Sequence, residues 1–300
     1  MSTPPFLSLP EGVRPVRIRT HRTETAALAA GTSAAGPTVA LVPGWTGSKE
    51  DFVALLAPLA DAGWHALAID QRGQHETPGS DREGDYSLSA LADDLLAVTT
   101  EVSAGPVHLV GHSLGGLVAR AATIAEPRAV ASLTLLCSGP GPQPTERHFL
   151  LRAMADAITA IGLTATWQAK RAYERSQGVP EPLPEIERFM ELRFLNNHPV
   201  SLREMTLHLT RAQDDLEALA ATGVPVLVAF GAADDGWPTV LQRDMADRLG
   251  ARLAVIEGAG HSPAAERPQQ TVAALAQFWA ALGRDAPESE GRTDRASVQR

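Results

Sequence analysis

One stretch of the chain places a serine where it could attack a carbonyl: Val107-His108-Leu109-Val110-Gly111-His112-Ser113-Leu114-Gly115-Gly116. An apolar run enters Gly-X-Ser-X-Gly, and a helical pattern leaves it. Gly111 and Gly115 leave room for a sharp strand-to-helix turn that lifts Ser113 above a sheet. The helix N-terminus then points at the serine, and its N–H groups and dipole favour developing negative charge. A serine hydroxyl is a weak nucleophile until a base takes its proton. The pattern therefore predicts acyl transfer and requires a base elsewhere.

The base is sought among nine histidines. His261 lies in Glu257-Gly258-Ala259-Gly260-His261-Ser262-Pro263, a Gly-flanked loop just past the last apolar run. That places it over a sheet edge. His108 falls inside a strand and reads as core; His112 flanks the serine and reads as structural. His21, His65, His75, His148, His198 and His208 have no motif around them. A base needs an acid to fix its tautomer. Phe230-Gly231-Ala232-Ala233-Asp234-Asp235-Gly236-Trp237-Pro238 follows another buried run and offers two aspartates at its end. Asp234 is favoured, and Asp235 remains open as the alternative, with helix capping as its simpler role. The chain order is Ser, Asp, His.

A tetrahedral oxyanion needs two backbone donors. The N–H of Leu114, next after the serine, is one. The other is expected from Pro43-Gly44-Trp45-Thr46-Gly47, the loop after an apolar run, with the Trp45 N–H as candidate.

These residues must be held by a sheet. Thr38 to Val42, His65 to Ile69 and Val107 to Val110 read as buried parallel strands, as do Ala131 to Leu136, Pro225 to Phe230 and Arg252 to Ile256. Helical patterns lie at Ser48 to Ala62, Ser87 to Val102, Leu114 to Ala125, Thr239 to Leu249 and Gln269 to Leu282. Alternating strand and helix predict an α/β fold with a mostly parallel sheet and helices on both faces. Val16 to Ala29 alternates and predicts an antiparallel edge hairpin.

The rhythm breaks between Gly139 and Gly223. This stretch carries two Pro-rich segments and only helical periodicity, at His148 to Ile161, Glu185 to Leu195 and Ser201 to Ala212. The division expected is a core at 1–138, a helical cap at 139–222, a second core part at 223–283 and a disordered tail at 284–300. The cap should roof the pocket. Phe149, Leu150, Met154, Trp167, Phe189, Met190, Phe194 and Met205 are its large apolar residues. Most should pack; any left over would face an apolar substrate.

Composition narrows the function classes. The chain has 300 residues, is 44% hydrophobic and 20% charged, and so supports a sizeable core. A formal net charge of −9 is not the basic footprint of a nucleic-acid binder. The single cysteine, Cys137, permits no intrachain disulfide and reads as a buried small hydrophobe. No signal peptide and no membrane-length apolar run are read, which predicts a cytoplasmic location with no membrane partner. HExxH, paired Cys/His spacing and phosphate-cradling glycine motifs are missing, so neither metal nor other cofactor is expected. The partner expected is a small-molecule substrate. Nothing here speaks to oligomeric state.

The chain resembles the α/β-hydrolase superfamily over roughly residues 16 to 283. Its GHSLGG elbow, its Asp70-Gln71-Arg72-Gly73 segment, its GAADDGWP loop and its GAGHSP loop match family patterns in order. It is similar to the capped branch of esterases, lactonases, perhydrolases and C–C hydrolases. Ser113 separates it from epoxide hydrolases and haloalkane dehalogenases, which use Asp there. The resemblance implies Ser113 as nucleophile, Asp234 as acid, His261 as base, and Trp45 and Leu114 as oxyanion donors. It implies a carboxylesterase-like hydrolase of esters, thioesters or lactones. A perhydrolase, lyase, cyclase or C–C hydrolase on the same fold is the rival, and a ligand receptor a more distant one. The family's usual His-Gly before the first oxyanion donor is Pro43-Gly44 here. The fixed φ of Pro43 is expected to replace the missing imidazole brace.

Overall fold

The apolar runs become the strands of a single sheet. A computed structural model describes residues 2–34 and 36–285. The edge hairpin is β1 (Arg14–Arg19) and β2 (Glu24–Ala30), paired antiparallel. There follow β3 (Thr38–Val42), α1 (Val53–Asp61), β4 (His65–Ile69), α2 (Leu88–Val102), β5 (Val107–His112), α3 (Leu114–Ala125) and β6 (Val130–Leu136). The inserted helices are α4 (Thr145–Ser176), α5 (Pro184–Leu195), α6 (Pro199–Arg211) and α7 (Leu216–Ala221). The chain returns with β7 (Val226–Gly231), α8 (Thr239–Leu249), β8 (Arg252–Ile256), α9 (Pro263–Glu266) and α10 (Pro268–Asp285).

The strand order is β1-β2-β4-β3-β5-β6-β7-β8. β2 meets β4 antiparallel, and the pairings from β4 to β8 are parallel. The architecture is thus the α/β-hydrolase fold that the sequence predicts. The chain leaves β3 towards β4 on one side and resumes at β5 on the other. Loops that leave β3 and β5 therefore stand side by side at the carboxyl ends, where open α/β sheets bind ligands.

Period-2 alternation sorts each strand between two cores. Ala40 and Val42 of β3 face α2, α3 and α8, where Leu95, Leu117 and Met245 pack. Val39 and Leu41 face α1 and α10, against Leu55, Leu56, Phe278 and Trp279. His108 lies in β5 as a core residue, bonded to Ser132 Oγ at 2.7 Å and packed by Trp64 and Trp279.

Several element boundaries differ from expectation: β5, read to Val110, runs to His112, and the helix read as His148 to Ile161 spans Thr145–Ser176. The helix predicted from Ser48 begins as a 3-10 turn over Lys49–Phe52. There the Lys49 N–H and Nζ bind Asp70 at 2.8 and 2.9 Å, which holds the first turn against β4's exit. At the other end α10 runs through Asp285, beyond the expected core limit at 283. The tail expected from 284 otherwise lies outside the described residues.

The insert is helical, as its periodicity predicts. Gly162 has φ 76° and ψ 174°, and it breaks α4 into two arms. By length and composition α4 is apolar enough to cross a membrane, with mean hydropathy 1.3. Each of its arms is nevertheless shorter than the roughly 20 residues a span needs. Ile158, Trp167, Ile186, Met190, Phe194 and Leu202 form a small core of the insert's own. Met205, Leu209, Leu216 and Leu219 join the main core instead. So α6 and α7, with Leu151 of α4, are anchored in the body, while Leu202 of α6 joins α4 and α5 in the insert's core.

Candidate active site

The turn after β5 is built by glycine. A Cβ on Gly115 would lie 2.3 Å from the Val42 carbonyl oxygen, and one on Gly111 would lie 2.4 Å from that of Gly115. Only a residue without a side chain lets α3 start this close to β3 and β5. Ser113 takes the strain between them, at φ 55° and ψ −119°. A non-glycine residue there costs on the order of 1–3 kcal/mol. The Ser113 N–H donates to the Leu136 carbonyl at 2.9 Å, which pins the turn to β6.

Three distant segments then meet. His261, between β8 and α9, places Nε2 3.1 Å from Ser113 Oγ. Its Nδ1 is 2.6 Å from Asp234 Oδ1. The Gly236 N–H adds a bond to the same oxygen at 2.8 Å, and Gln242 Nε2 donates to Asp234 Oδ2 at 2.6 Å. Burial pushes the Asp234 carboxyl up, but its bond and charge contact with His261, with the Gly236 and Gln242 donors, hold it below its ordinary value. A carboxylate that accepts this many bonds stays charged and can stabilise an imidazolium.

The choice between the two aspartates is geometric. The Asp234 side chain is 0% exposed against His261, while that of Asp235 is 76% exposed and lies 3.4 Å from Arg147 of α4. Asp235 is not the cap of α8 either: the N-cap position belongs to Pro238, which has no side-chain cap bond.

Four residues that sequence reasoning passed over or left vague hold this arrangement. His112 Nε2 lies 2.6 Å from the His261 carbonyl oxygen, so it donates there and carries its proton on Nε2. Burial, with the charge of His261 next, pushes His112 down to about 3, and it stays neutral. Glu266 accepts the N–H groups of Gly260 and Ser262 at 2.5 and 2.8 Å and fixes the loop that carries His261. Gln71 Nε2 donates to the Pro43 carbonyl and Gln74 Nε2 to the Gly44 carbonyl, both at 2.9 Å. This pair braces the loop where Pro43 alone was expected to. Gln71 falls inside the Asp70-to-Gly73 motif and Gln74 just after it, which was the only signal.

The Trp45 loop and Leu114 both adjoin Ser113: a Cβ on Gly44 would lie 3.0 Å from Ser113 Cβ, and Leu114 follows Ser113 in the chain. Leu114 is the first residue of α3, so its N–H has no partner within the helix. The Trp45 loop is closed by a Gly47 N–H bond to the Gly44 carbonyl at 3.1 Å. The Trp45 indole reaches up to Thr206 Oγ1 of α6 at 2.8 Å.

A cavity of about 600 Å³ opens above Ser113. Trp45, Leu150, Leu151, Met154, Ala157 and Leu209 form its apolar wall, and Lys170, Glu174 and Asp51 also line it. Of the large insert residues, Leu150 and Met154 therefore face the cavity. Trp167, Met190 and Phe194 are buried in the insert's own core, Met205 is in the main core, Phe149 is exposed, and Phe189 packs on His75. Cys137 is buried, and burial raises its thiol well above its ordinary value.

Among the described residues, two groups of metal-capable atoms lie within 4.8 Å of one another: His112, Cys137 and His261; and Asp234, Asp235 and His261. Both draw on His261, whose two ring nitrogens are already bonded to Asp234 and Ser113.

Residues 39–275 match the alpha/beta hydrolase family. A Bacillus subtilis protein assigned as a 2-succinyl-6-hydroxy-2,4-cyclohexadiene-1-carboxylate synthase is 27% identical, covering 78% of this chain and 87% of its own. A pimeloyl-[acyl-carrier protein] methyl ester esterase of Neisseria meningitidis is 28% identical over 75% of this chain and 71% of its own. A thermophilic esterase of Thermogutta terrifontis shares the fold, with a TM-score of 0.74, 24% identity, and coverage of 90% of this chain and 99% of its own.

Proposed function

The chain belongs to the alpha/beta hydrolase family, and we propose that it is a serine hydrolase that cleaves an ester, thioester or lactone through an acyl-enzyme on Ser113. The observation that carries this reading is the continuous hydrogen-bond path from Ser113 Oγ through His261 to Asp234.

In this mechanism His261 Nε2 takes the hydroxyl proton as Ser113 Oγ attacks the carbonyl carbon. Asp234 steadies the imidazolium from Nδ1. The N–H groups of Trp45 and Leu114 receive the oxyanion, at the sheet edge where the α3 dipole adds to them. His261 returns its proton to the leaving group, and the acyl-enzyme forms. Water activated by the same imidazole then releases the acid and restores Ser113. The apolar wall from Leu150 to Leu209 favours a small or medium apolar substrate. A methyl ester, as in the name of the Neisseria relative, is one member of this class.

The test is labelling with a fluorophosphonate, followed by a panel of esters, thioesters and lactones. Ser113 should be labelled, and Ser113→Ala should lose both label and turnover, by on the order of 10⁴-fold or more. Label that persists in Ser113→Ala overturns the assignment.

The Bacillus relative, named a synthase, favours one second reading, a non-hydrolytic catalyst such as a lyase on the same fold. Product analysis in ¹⁸O-labelled water separates the two. A hydrolase puts the label into its acid product, and a lyase does not.

A further inference from the structure

We propose that the N-terminal segment Ser2 to Leu7 is a wall of the substrate cavity and limits the length of the chain that the substrate can carry. This rests on the serine-hydrolase reading of the cavity. The segment precedes the part of the chain that matches the family, which starts at residue 39.

Three observations place it. Ser2 is 6% exposed and lines the same cavity as Ser113, next to Asp51. Its carbonyl accepts from Arg193 Nη2 at 2.7 Å, while Arg193 Nη1 binds Asp51 Oδ1 at 2.6 Å. Arg193 is 0% exposed and belongs to α5 of the insert; Asp51 belongs to the body. One buried guanidinium thus ties body, insert and N-terminal segment together. Its Nε has no acceptor, so the Ser2 carbonyl is one of the few groups that satisfy it. Buried donors left unpaired are costly, which argues that the segment stays in place. Farther along, Leu7 packs against the insert's own core, on which Trp45 also packs.

Ser2 is the residue of the segment that lines the cavity, so the wall there is backbone and one small side chain, backed by Leu7 on the insert's core. A substrate chain that grows past it has to displace the segment and break the Arg193 bond. Discrimination by one methylene in such a pocket is worth roughly 10- to 200-fold.

The experiment compares the wild type with a chain lacking residues 2–6. It measures kcat/KM on p-nitrophenyl alkanoates from acetate to dodecanoate and on a matching series of alkyl acetates. Fluorophosphonate labelling of Ser113 is followed in parallel. The truncated chain should gain roughly tenfold or more on the longest members of one series relative to butanoate or butyl acetate. Ser113 should label in both proteins. Unchanged profiles in both series overturn the proposal, even with Ser113 labelled and esters cleaved. No labelling and no ester cleavage in the wild type overturns the hydrolase reading itself.

If the truncated chain does not fold, Ser2→Cys decides. Methyl and then benzyl methanethiosulfonate should shorten the longest accepted chain stepwise, with wild type treated alike as the control for Cys137. A profile that does not respond to either adduct also overturns the proposal.

Discussion

Gln242 of α8 donates one amide to both the Asp234 carboxylate, at 2.6 Å, and the Trp237 carbonyl, at 3.0 Å. It is fully buried, and it is the side-chain donor to the Asp234 oxygen that faces away from His261. A donor to a buried carboxylate is worth about 1.5–3 kcal/mol. Gln242→Met should therefore lower kcat by roughly tenfold or more, with KM little changed, and Gln242→Asn should not restore it, because its amide is one methylene short. Steady-state kinetics on one ester, with folding checked by circular dichroism, measures this. A kcat within about twofold of wild type would remove Gln242 from any positioning role.

Asp234→Asn keeps the shape but permits the wrong His261 tautomer, and a loss of about 10⁴-fold in turnover is expected. Asp235→Asn should stay near wild type, since its carboxylate is exposed and pairs with Arg147 while the His261 Nδ1 is bonded to Asp234. Surface pairs of that kind contribute about 0–1 kcal/mol. The reverse ranking on the same ester would transfer the acid's role to Asp235.

Ser113 is strained, with φ 55°. Ser113→Gly should abolish turnover and raise stability by about 1 kcal/mol, because glycine adopts this conformation without the Cβ penalty. Urea midpoints of the two proteins test it. A variant less stable than the wild type would mean that the serine side chain stabilises the turn more than its strain costs.

Acid should weaken the fold through two buried histidines. Burial pushes His108 down to about 4, and burial with His261 pushes His112 down to about 3. Both are depressed from the unfolded value near 6.5, so the fold prefers them neutral. Their contribution is complete above pH 6.5 and is lost as pH falls towards 4 and 3. Each histidine adds a slope of about 1.4 kcal/mol per pH unit within that window. Urea unfolding at pH 7.5, 6 and 5 should show the decline, and His108→Gln should flatten it. Equal slopes in wild type and variant would contradict the His108 share.

Cavity and insert core should separate cleanly under mutation. Met154→Trp should narrow the range of accepted esters, because Met154 lines the cavity. Trp167→Ala should instead destabilise the protein by about 3–5 kcal/mol, since Trp167 is 3% exposed inside the insert's core. Thermal melts and an ester panel on both variants decide it. A Trp167→Ala protein with wild-type stability and a new substrate ranking would put that ring in the pocket.

The sequence by itself determined the strands, the helices and the elbow around Ser113. Those are local properties: apolar runs between glycines, a helical period, and a Gly-X-Ser-X-Gly turn whose geometry is set within a few residues. It also put Asp234, Asp235 and His261 at strand ends, because a strand's carboxyl end can be read from where its apolar run stops. What it left open is what faces what. Asp234 and Asp235 are neighbours in the chain, and only the return of the loop against α8 buries one and exposes the other. His112 reaches the His261 carbonyl across 149 positions, and Arg193 reaches Ser2 across 191. Periodicity marks Trp167 and Met154 alike as apolar, yet Trp167 is buried in the insert's core while Met154, on the other arm of α4, packs against that core and also lines the cavity. A hydrophobic pattern records that a side chain leaves water. Which surface receives it is decided by packing between segments far apart in the chain, and that is where the cavity's shape comes from.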